Sequence, residues 1–318
     1  MQLNDILALS PQLESAVRNS YWRMAPLVRW YNAQKAAPKT AGASDPGPVT
    51  SLARAIETLR SLGVGRGDLL VVHSAYRPLR GDGAKPDQII DALLELIGPT
   101  GTLAMPAIPA YAEEGDVEGR MTRDLTGVVC TYDPKRTAVW TGALPLALRA
   151  RANAARSLHP LNSMVAVGPL AAPMMEHNLE GDRPAPCGPN SSWKFCADHG
   201  AKLIGLGTEL PHNLTMIHVA EDSNPNWPVA GWHRERVFKI VADDGMREVV
   251  VRERYPKWAM YFAERTLAKQ LCAVGIRRVV LCDGVTFEIA GARELVDFLN
   301  ARNRRGYPYY LLPRSALR

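Results

Sequence analysis

Between residues 51 and 107 the chain alternates between two apolar periods, and this constrains the fold more than any other feature. "SLARAIETLRSLGV" repeats its apolar residues at helical spacing, whereas "LLVVH" is an unbroken apolar run of strand length. "KPDQIIDALLELIGPTG" returns to the helical period, with Pro86 and Asp87 at its start and Gly98-Pro99 at its stop. The strand "TLAMPAI" follows. Helix, strand, glycine-bearing loop, helix and strand in this order predict an α/β layer with parallel pairing.

Downstream, "NSMVAVG", "KLIGLG" and "IRRVVLCDG" read as strands. "GALPLALRARA", "PLAAPMMEHN", "SSWKFCADHG" and "GARELVDFLNARNR" read as helices, and "KWAMYFAERTLAKQLCAVG" as one long helix. "RERVFKIVADDGMREVVVRERY" carries the Asp-Gly turn of a β-hairpin. Residues 111–139 are polar and aperiodic, and read as a surface excursion over a site. Ahead of this body, residues 1–33 carry an apolar stripe (Leu3, Ile6, Leu7, Leu13, Val17) that predicts short helices. "AQKAAPKTAGASDPGPVT" then reads as a linker or extended arm. The domain reading is therefore a helical arm and linker over 1–49 and one α/β domain over 50–318.

Charge and cysteine usage narrow the partners. The net charge of +6 is partly concentrated in "ELVDFLNARNRRGYPYYLLPRSALR", which suits an anionic ligand or an ordinary solvated tail. No nucleic-acid-binding motif accompanies it. No apolar run is long enough to span a bilayer, and the first residues do not form a secretory leader, so a cytoplasmic protein without a membrane partner is expected. Five widely spaced cysteines without a CxxC pair suit reduced thiols. Cys187, in the loop "APCGPNSS", is a candidate nucleophile or a plain packing residue.

Several segments offer polar groups for chemistry. In "HNLTMIHVAED", His218 and Glu221 lie three apart and meet if the segment is helical. They could be metal ligands, a base with its orienting acid, or a surface hydrogen bond. The scattered histidines form no H-E-x-x-H pattern, and no metal site is expected. "RGDGAKPDQIID" lacks the Walker spacing, yet its backbone and the following helix start could face a phosphate. His73 and Ser74 end a buried strand, and His159 and Ser163 flank another. Such strand ends are where α/β proteins gather ligand contacts.

In order along the chain, "VVHSAYRPLRGDG", "KPDQIIDALLELIGPTGTLAMPA", "TYDPKRTAVWTGALPLALR", "RSLHPLNSMVAVGP", "CGPNSSWKF", "HGAKLIGLGTEL" and "NLTMIHVAED" resemble the aminoglycoside 3-N-acetyltransferase family. The likeness covers about residues 50–290. It implies that family's α/β fold, a central mixed sheet flanked by helices, here with an N-terminal helical extension. It also implies acetyl-CoA as cosubstrate, a small-molecule amine acceptor and no metal. Apart from the resemblance, the N-terminal arm could dock on the main body or on a second subunit of a homodimer. By position, the resemblance assigns His73, Ser74, Ala75, Arg80, Gly81, Gly83 and Ser163 to the cofactor. It assigns Arg156, His159, Asp133 and Asn213 to the acceptor, with Ser157 nearby. His218 becomes the general base, with Thr215 one turn earlier and Glu221 as a candidate support. Glu253 is the expected carboxylate partner of His218, and Glu235 its competitor.

The chain departs from the family pattern at Leu146, where relatives often carry an acid, at Thr137-Ala138, and in the spacing Asn213-Leu214-Thr215. With an acid lost and the chain basic overall, the expected acceptor is an amino sugar, nucleotide-linked ones included, in polysaccharide or natural-product synthesis. The alternative is an aminoglycoside antibiotic, with resistance as the outcome. Other classes are a non-catalytic CoA or sugar-nucleotide binder and a metal-dependent hydrolase.

Overall fold

The structure, a computed structural model, describes residues 6–21, 24, 47–115, 124–210, 214–304, 309–312 and 317. Residues 6–7 are helical, and a helix over residues 11–21, α1, follows. Ser10 caps it by accepting the Leu13 N–H at 3.1 Å. The body opens with α2 (Leu52–Ser61), capped by Ser51, and β1 (Leu69–Ser74). α3 (Pro86–Ile97) begins at Pro86, as its sequence predicts, and ends where Gly98 adopts φ +67°. β2 (Thr102–Pro106), β3 (Val129–Tyr132), α4 (Ala143–Arg149), β4 (Ala155–Arg156) and β5 (Met164–Val167) follow. Then come α5 (Ala171–Glu176), α6 (Ser192–Asp198), β6 (Lys202–Leu206) and α7 (His218–Asp222). The chain closes with β7 (His233–Ala242), β8 (Gly245–Arg254), α8 (Glu264–Ala273), β9 (Arg277–Cys282), β10 (Val285–Gly291) and α9 (Ala292–Asn303).

Seven strands form the main sheet in the order β4-β5-β2-β1-β6-β10-β9. β1 pairs parallel with both β2 and β6, and the outer pairings are antiparallel. The parallel pairing read from the sequence therefore holds for the centre only, and the sheet is mixed. β1 is buried on both faces because helices cover both. Leu70 and Val72 pack with α2, α3 and α4, through Ile56, Leu59, Ile90, Leu93 and Leu148. Val71 joins Trp193, Cys196, Met216 and Leu295 on the opposite side. The two-residue period of a strand is what sends neighbours to different layers. Among the described residues no helix is long and apolar enough to cross a membrane.

A second sheet, β3-β7-β8, stands apart from the first and has its own core of Tyr111, Cys130, Tyr132, Phe238, Ile240 and Val251. Its β7–β8 hairpin is the one signalled by Asp244-Gly245, whereas β3 emerges from the stretch read as an excursion. Two further expectations are corrected. The predicted long helix over 257–275 is a 3-10 segment (Pro256–Tyr261), an extended Phe262 and then α8. Trp258 and Phe262 are drawn into the core there, which a continuous helix would not allow. β10, unsignalled in the sequence reading, returns antiparallel to β9 through Asp283-Gly284.

The docking of α1 also differs from its pattern. Leu13 and Val17, members of the apolar stripe, are exposed, while Glu14 and Ser15 are buried. The helix packs through its polar side. Glu14 accepts from the Arg265 and Thr266 N–H groups at 2.9 and 3.1 Å. Asn19 donates to Met260 O, and Arg18 to Ala259 O.

Candidate active site

The parallel centre of the sheet brings three strand ends to one edge, and a cavity of about 520 Å³ opens there. His73, Ser74 and Ala75 line it from the end of β1, Pro106 from the end of β2, and Thr208 from the turn after β6. Trp140 to Ala143 form another part of the wall. Thr215 and His218 enter from the 3-10 turn that leads into α7. Arg254, Phe262, Glu264 and Arg18 complete the side nearest the second sheet and α1.

His218 and Glu221 meet as their spacing requires: Nδ1 lies 2.9 Å from Glu221 Oε2. The carboxylate is 2% exposed and the imidazole 15%, so the acid sits behind the base rather than beside it in water. A carboxylate at Nδ1 accepts a hydrogen bond from the ring N–H there, the tautomer that leaves the lone pair on Nε2. The pair hangs on a helix of five residues, and the following residue, Asp222, fixes that helix in place. Asp222 accepts from His233 Nε2 at 2.8 Å and from the Cys187 N–H at 3.1 Å. This second histidine–carboxylate pair was not legible in the sequence, since its members lie on different elements.

Glu253 is not the partner of His218. Arg234 and Arg236 donate to Glu253 Oε2 at 2.6 and 3.1 Å, and Arg236 also reaches Glu114 at 2.9 Å. Its competitor Glu235 is exposed and pairs with Arg183. Strand alternation explains the miss: Glu253 and Arg254 are consecutive on β8, so one faces the buried arginines and the other the cavity. The carboxylate on His218 is Glu221, read from the sequence only as a candidate support.

The other expected contacts divide similarly. His73 is buried, and among the described residues its Nε2 has no hydrogen-bond partner. Desolvation pushes its pKa down to about 4, so the ring is neutral at physiological pH. Arg80 is exposed and stacks over the Tyr76 ring. Gly81 donates to Thr50 O at 2.9 Å, and a Cβ there would stand 2.7 Å from that carbonyl. Gly83, at φ +76°, turns the chain with nothing close by. This glycine loop seats the start of α2, and Arg80, Gly81 and Gly83 are not among the residues that line the cavity.

The "RSLHPLNSM" residues also lie off the cavity wall. Ser163 and the Tyr132 hydroxyl are 2.8 Å apart in the second core. His159 donates from Nε2 to Pro184 O and accepts the Leu161 N–H on Nδ1; burial lowers its pKa. Ser157 hydrogen-bonds Asn178. Arg156 donates to the carbonyls of Pro134 and Ala107, and Asp133 accepts from the Lys135 N–H to make a turn. Arg156 and Asp133 line a separate groove. Asn213 lies outside the described residues. Cys187 is fully buried and its thiol pKa is raised, chiefly by burial and then by Asp222, so it is no nucleophile.

The cavity wall includes charged residues that the sequence reading missed. Arg18 Nη2 is 2.6 Å from Glu264 Oε1, which ties α1 to the first residue of α8 at the cavity wall. No sequence period links residues 18, 254 and 264. Among the described residues, no group of three or more His, Cys, Asp or Glu side chains could hold a metal ion.

Residues 71–303 match the family described as aminoglycoside 3-N-acetyltransferase. The chain is 34% identical over 190 residues to aminoglycoside N(3)-acetyltransferase VIII of Streptomyces fradiae, covering 55% of this chain and 61% of that protein. It is 27% identical over 263 residues to aminoglycoside N(3)-acetyltransferase III of Salmonella sp, covering 76% and 87%. Among solved structures, the aminoglycoside acetyltransferase AAC(3)-IIb superposes with a TM-score of 0.64 at 24% identity, over 82% of this chain and 99% of that one. AAC-IIIb in a binary complex with CoASH gives 0.63 at 22%, over 83% and 99%. These two likenesses establish the shared fold.

Proposed function

The chain belongs to the aminoglycoside 3-N-acetyltransferase family, and we propose that it moves an acetyl group from acetyl-CoA to an amine of an aminoglycoside-class amino sugar, with His218 as general base. The relatives' own acceptors favour this reading over the nucleotide-linked amino sugar expected from charge alone. The observation that carries the mechanism is an imidazole on a cavity wall with a buried carboxylate fixed to its far nitrogen.

An ammonium has no lone pair, so the acceptor must lose a proton before or during attack. His218 Nε2 takes it while Glu221 stabilises the imidazolium that forms. The amine nitrogen bonds to the thioester carbonyl carbon, the C–S bond breaks, and the thiolate of CoA leaves and is protonated. Ser74 and Thr215, both on the wall, are the side-chain donors available to the developing oxyanion. Ile108, Trp140 and Pro145 give the cavity an apolar side suited to the acyl end of the donor. Use of this donor supports a cytoplasmic setting for the reaction.

His218→Asn keeps a hydrogen-bonding side chain but no base. It should lower acetyl transfer, read as free thiol, by about 10²–10⁴-fold. Acetyl-CoA binding measured by calorimetry should persist. Equal turnover by the two proteins would remove His218 from the mechanism. Donor binding by the unmutated chain without turnover on any amine would favour a non-catalytic binder.

A further inference from the structure

We infer that Arg18 sets how tightly the site holds its acceptor: a second ammonium of the aminoglycoside, one that is not acetylated, binds the Glu264 carboxylate only by taking it from Arg18. The inference rests on the acetyl-transfer reading above and deepens it by naming a residue that decides among acceptors.

An aminoglycoside carries several ammonium groups, and a cavity receives them best with carboxylates. Among the described residues lining the cavity, the one carboxylate is Glu264, against the guanidinium groups of Arg18 and Arg254. Arg18 Nη2 stands 2.6 Å from Glu264 Oε1, and the two side chains are only 18% and 16% exposed. At that distance, and so shielded from water, the guanidinium occupies the place that an acceptor's ammonium would take. Arg18 comes from α1, which precedes residues 71–303, the span of the family match.

Position links this carboxylate to the reacting group. Leu214, Ile217, Phe262 and Glu264 line the main cavity and also an adjoining void of about 10 Å³. A void that small, with room for about one water, brings Glu264 against the turn that runs from Leu214 into His218. An acceptor whose amine meets His218 can therefore lay a neighbouring ammonium on Glu264. Arg18 has a second acid to turn to when that happens. Its Nη2 is 3.6 Å from Glu14 Oε1, and its Nη1 donates to Ala259 O. Arg265 Nη1 completes the group, 3.4 Å from Glu14 and 3.7 Å from Glu264. Two arginines balance two glutamates here, so removing Arg18 leaves an excess carboxylate and a more negative cavity wall.

The test compares neamine, which has several amines, with glucosamine, which has one, in acetyl transfer read as free thiol. In Arg18→Gln the ratio of the neamine KM to the glucosamine KM should fall by about tenfold, the size of one charge-assisted contact. Adding Glu264→Gln should return the ratio to at least its unmutated value. An unmoved or raised ratio in Arg18→Gln overturns the proposal, and so does a fall that survives Glu264→Gln. Arg18→Lys keeps a cation for Glu264 and should hold the ratio within about threefold. A fall in Arg18→Lys as large as that in Arg18→Gln would mean that the docking of α1, not the charge, sets acceptor binding, and would also overturn it. Calorimetric binding of neamine gives a readout independent of turnover. Tighter binding by Arg18→Gln supports the proposal even if no amine is acetylated and the acetyl-transfer reading fails, whereas equal or weaker binding overturns it.

Discussion

Burial separates the imidazole of His73 from water, and among the described residues Nε2 has no partner to replace the hydration of the charged form. Its folded pKa of about 4 lies below the unfolded value near 6.5. As pH falls through that window the unfolded chain takes up a proton that the folded chain refuses, so stability present at neutral pH is lost on the way down to about pH 4. In urea unfolding at pH 7 and pH 4.5, the His73→Gln variant should lose less stability on acidification than the unmutated chain, by roughly 2–3 kcal/mol. Equal losses would mean that the folded ring accepts a proton. His218 differs in kind, because a carboxylate supports its Nδ1 and the ring is partly open to the cavity. The spacing of His218 and Glu221 was readable from one helical turn. That Gly81 faces Thr50 was not, because the contact joins two loops 31 positions apart.

At the level of elements, β8 carries two residues with opposite tasks. Glu253 neutralises Arg234 and Arg236 inside the second sheet, and Arg254 turns to the cavity. Removing one partner of a buried ion pair leaves the other charged and poorly solvated, so Glu253→Ala should cost about 3 kcal/mol in unfolding free energy. Protein that remains folded should keep most of its acetyl transfer, because Glu253 does not touch His218. Lost turnover at unchanged stability would return Glu253 to the mechanism. The hairpin itself was legible, since Asp244-Gly245 fixes its register and alternation does the rest. Which face of β8 meets the cavity was not legible. Both faces carry charge, and a strand's period identifies two sides without saying what each will meet.

For the whole molecule, the association of α1 with the body is a case of one helix capping another. Ala263 occupies the N-cap of α8 and has no side-chain oxygen to offer. Glu14 supplies it from α1, accepting the Arg265 and Thr266 N–H groups and approaching the Thr266 hydroxyl. Glu14→Ala should lower the unfolding free energy by about 2 kcal/mol and speed amide exchange in the first turn of α8. Exchange there at the unmutated rate would show that the cap lies elsewhere. The same helix sends Arg18 to the cavity, so α1 forms part of the site wall, one of the two dockings the sequence left open for the arm. The sequence by itself determined the α/β class, the stops at Gly98 and Asp244-Gly245, and the His218–Glu221 pair, because each is set by local period or local backbone freedom. Only the tertiary structure decided that residues 18, 73, 218, 254 and 264 share one cavity and that Glu253 and Gly81 do not. Their meeting depends on strand order and on which helix docks where. Those are long-range choices made by the packing of the whole core, and no short window of sequence contains them.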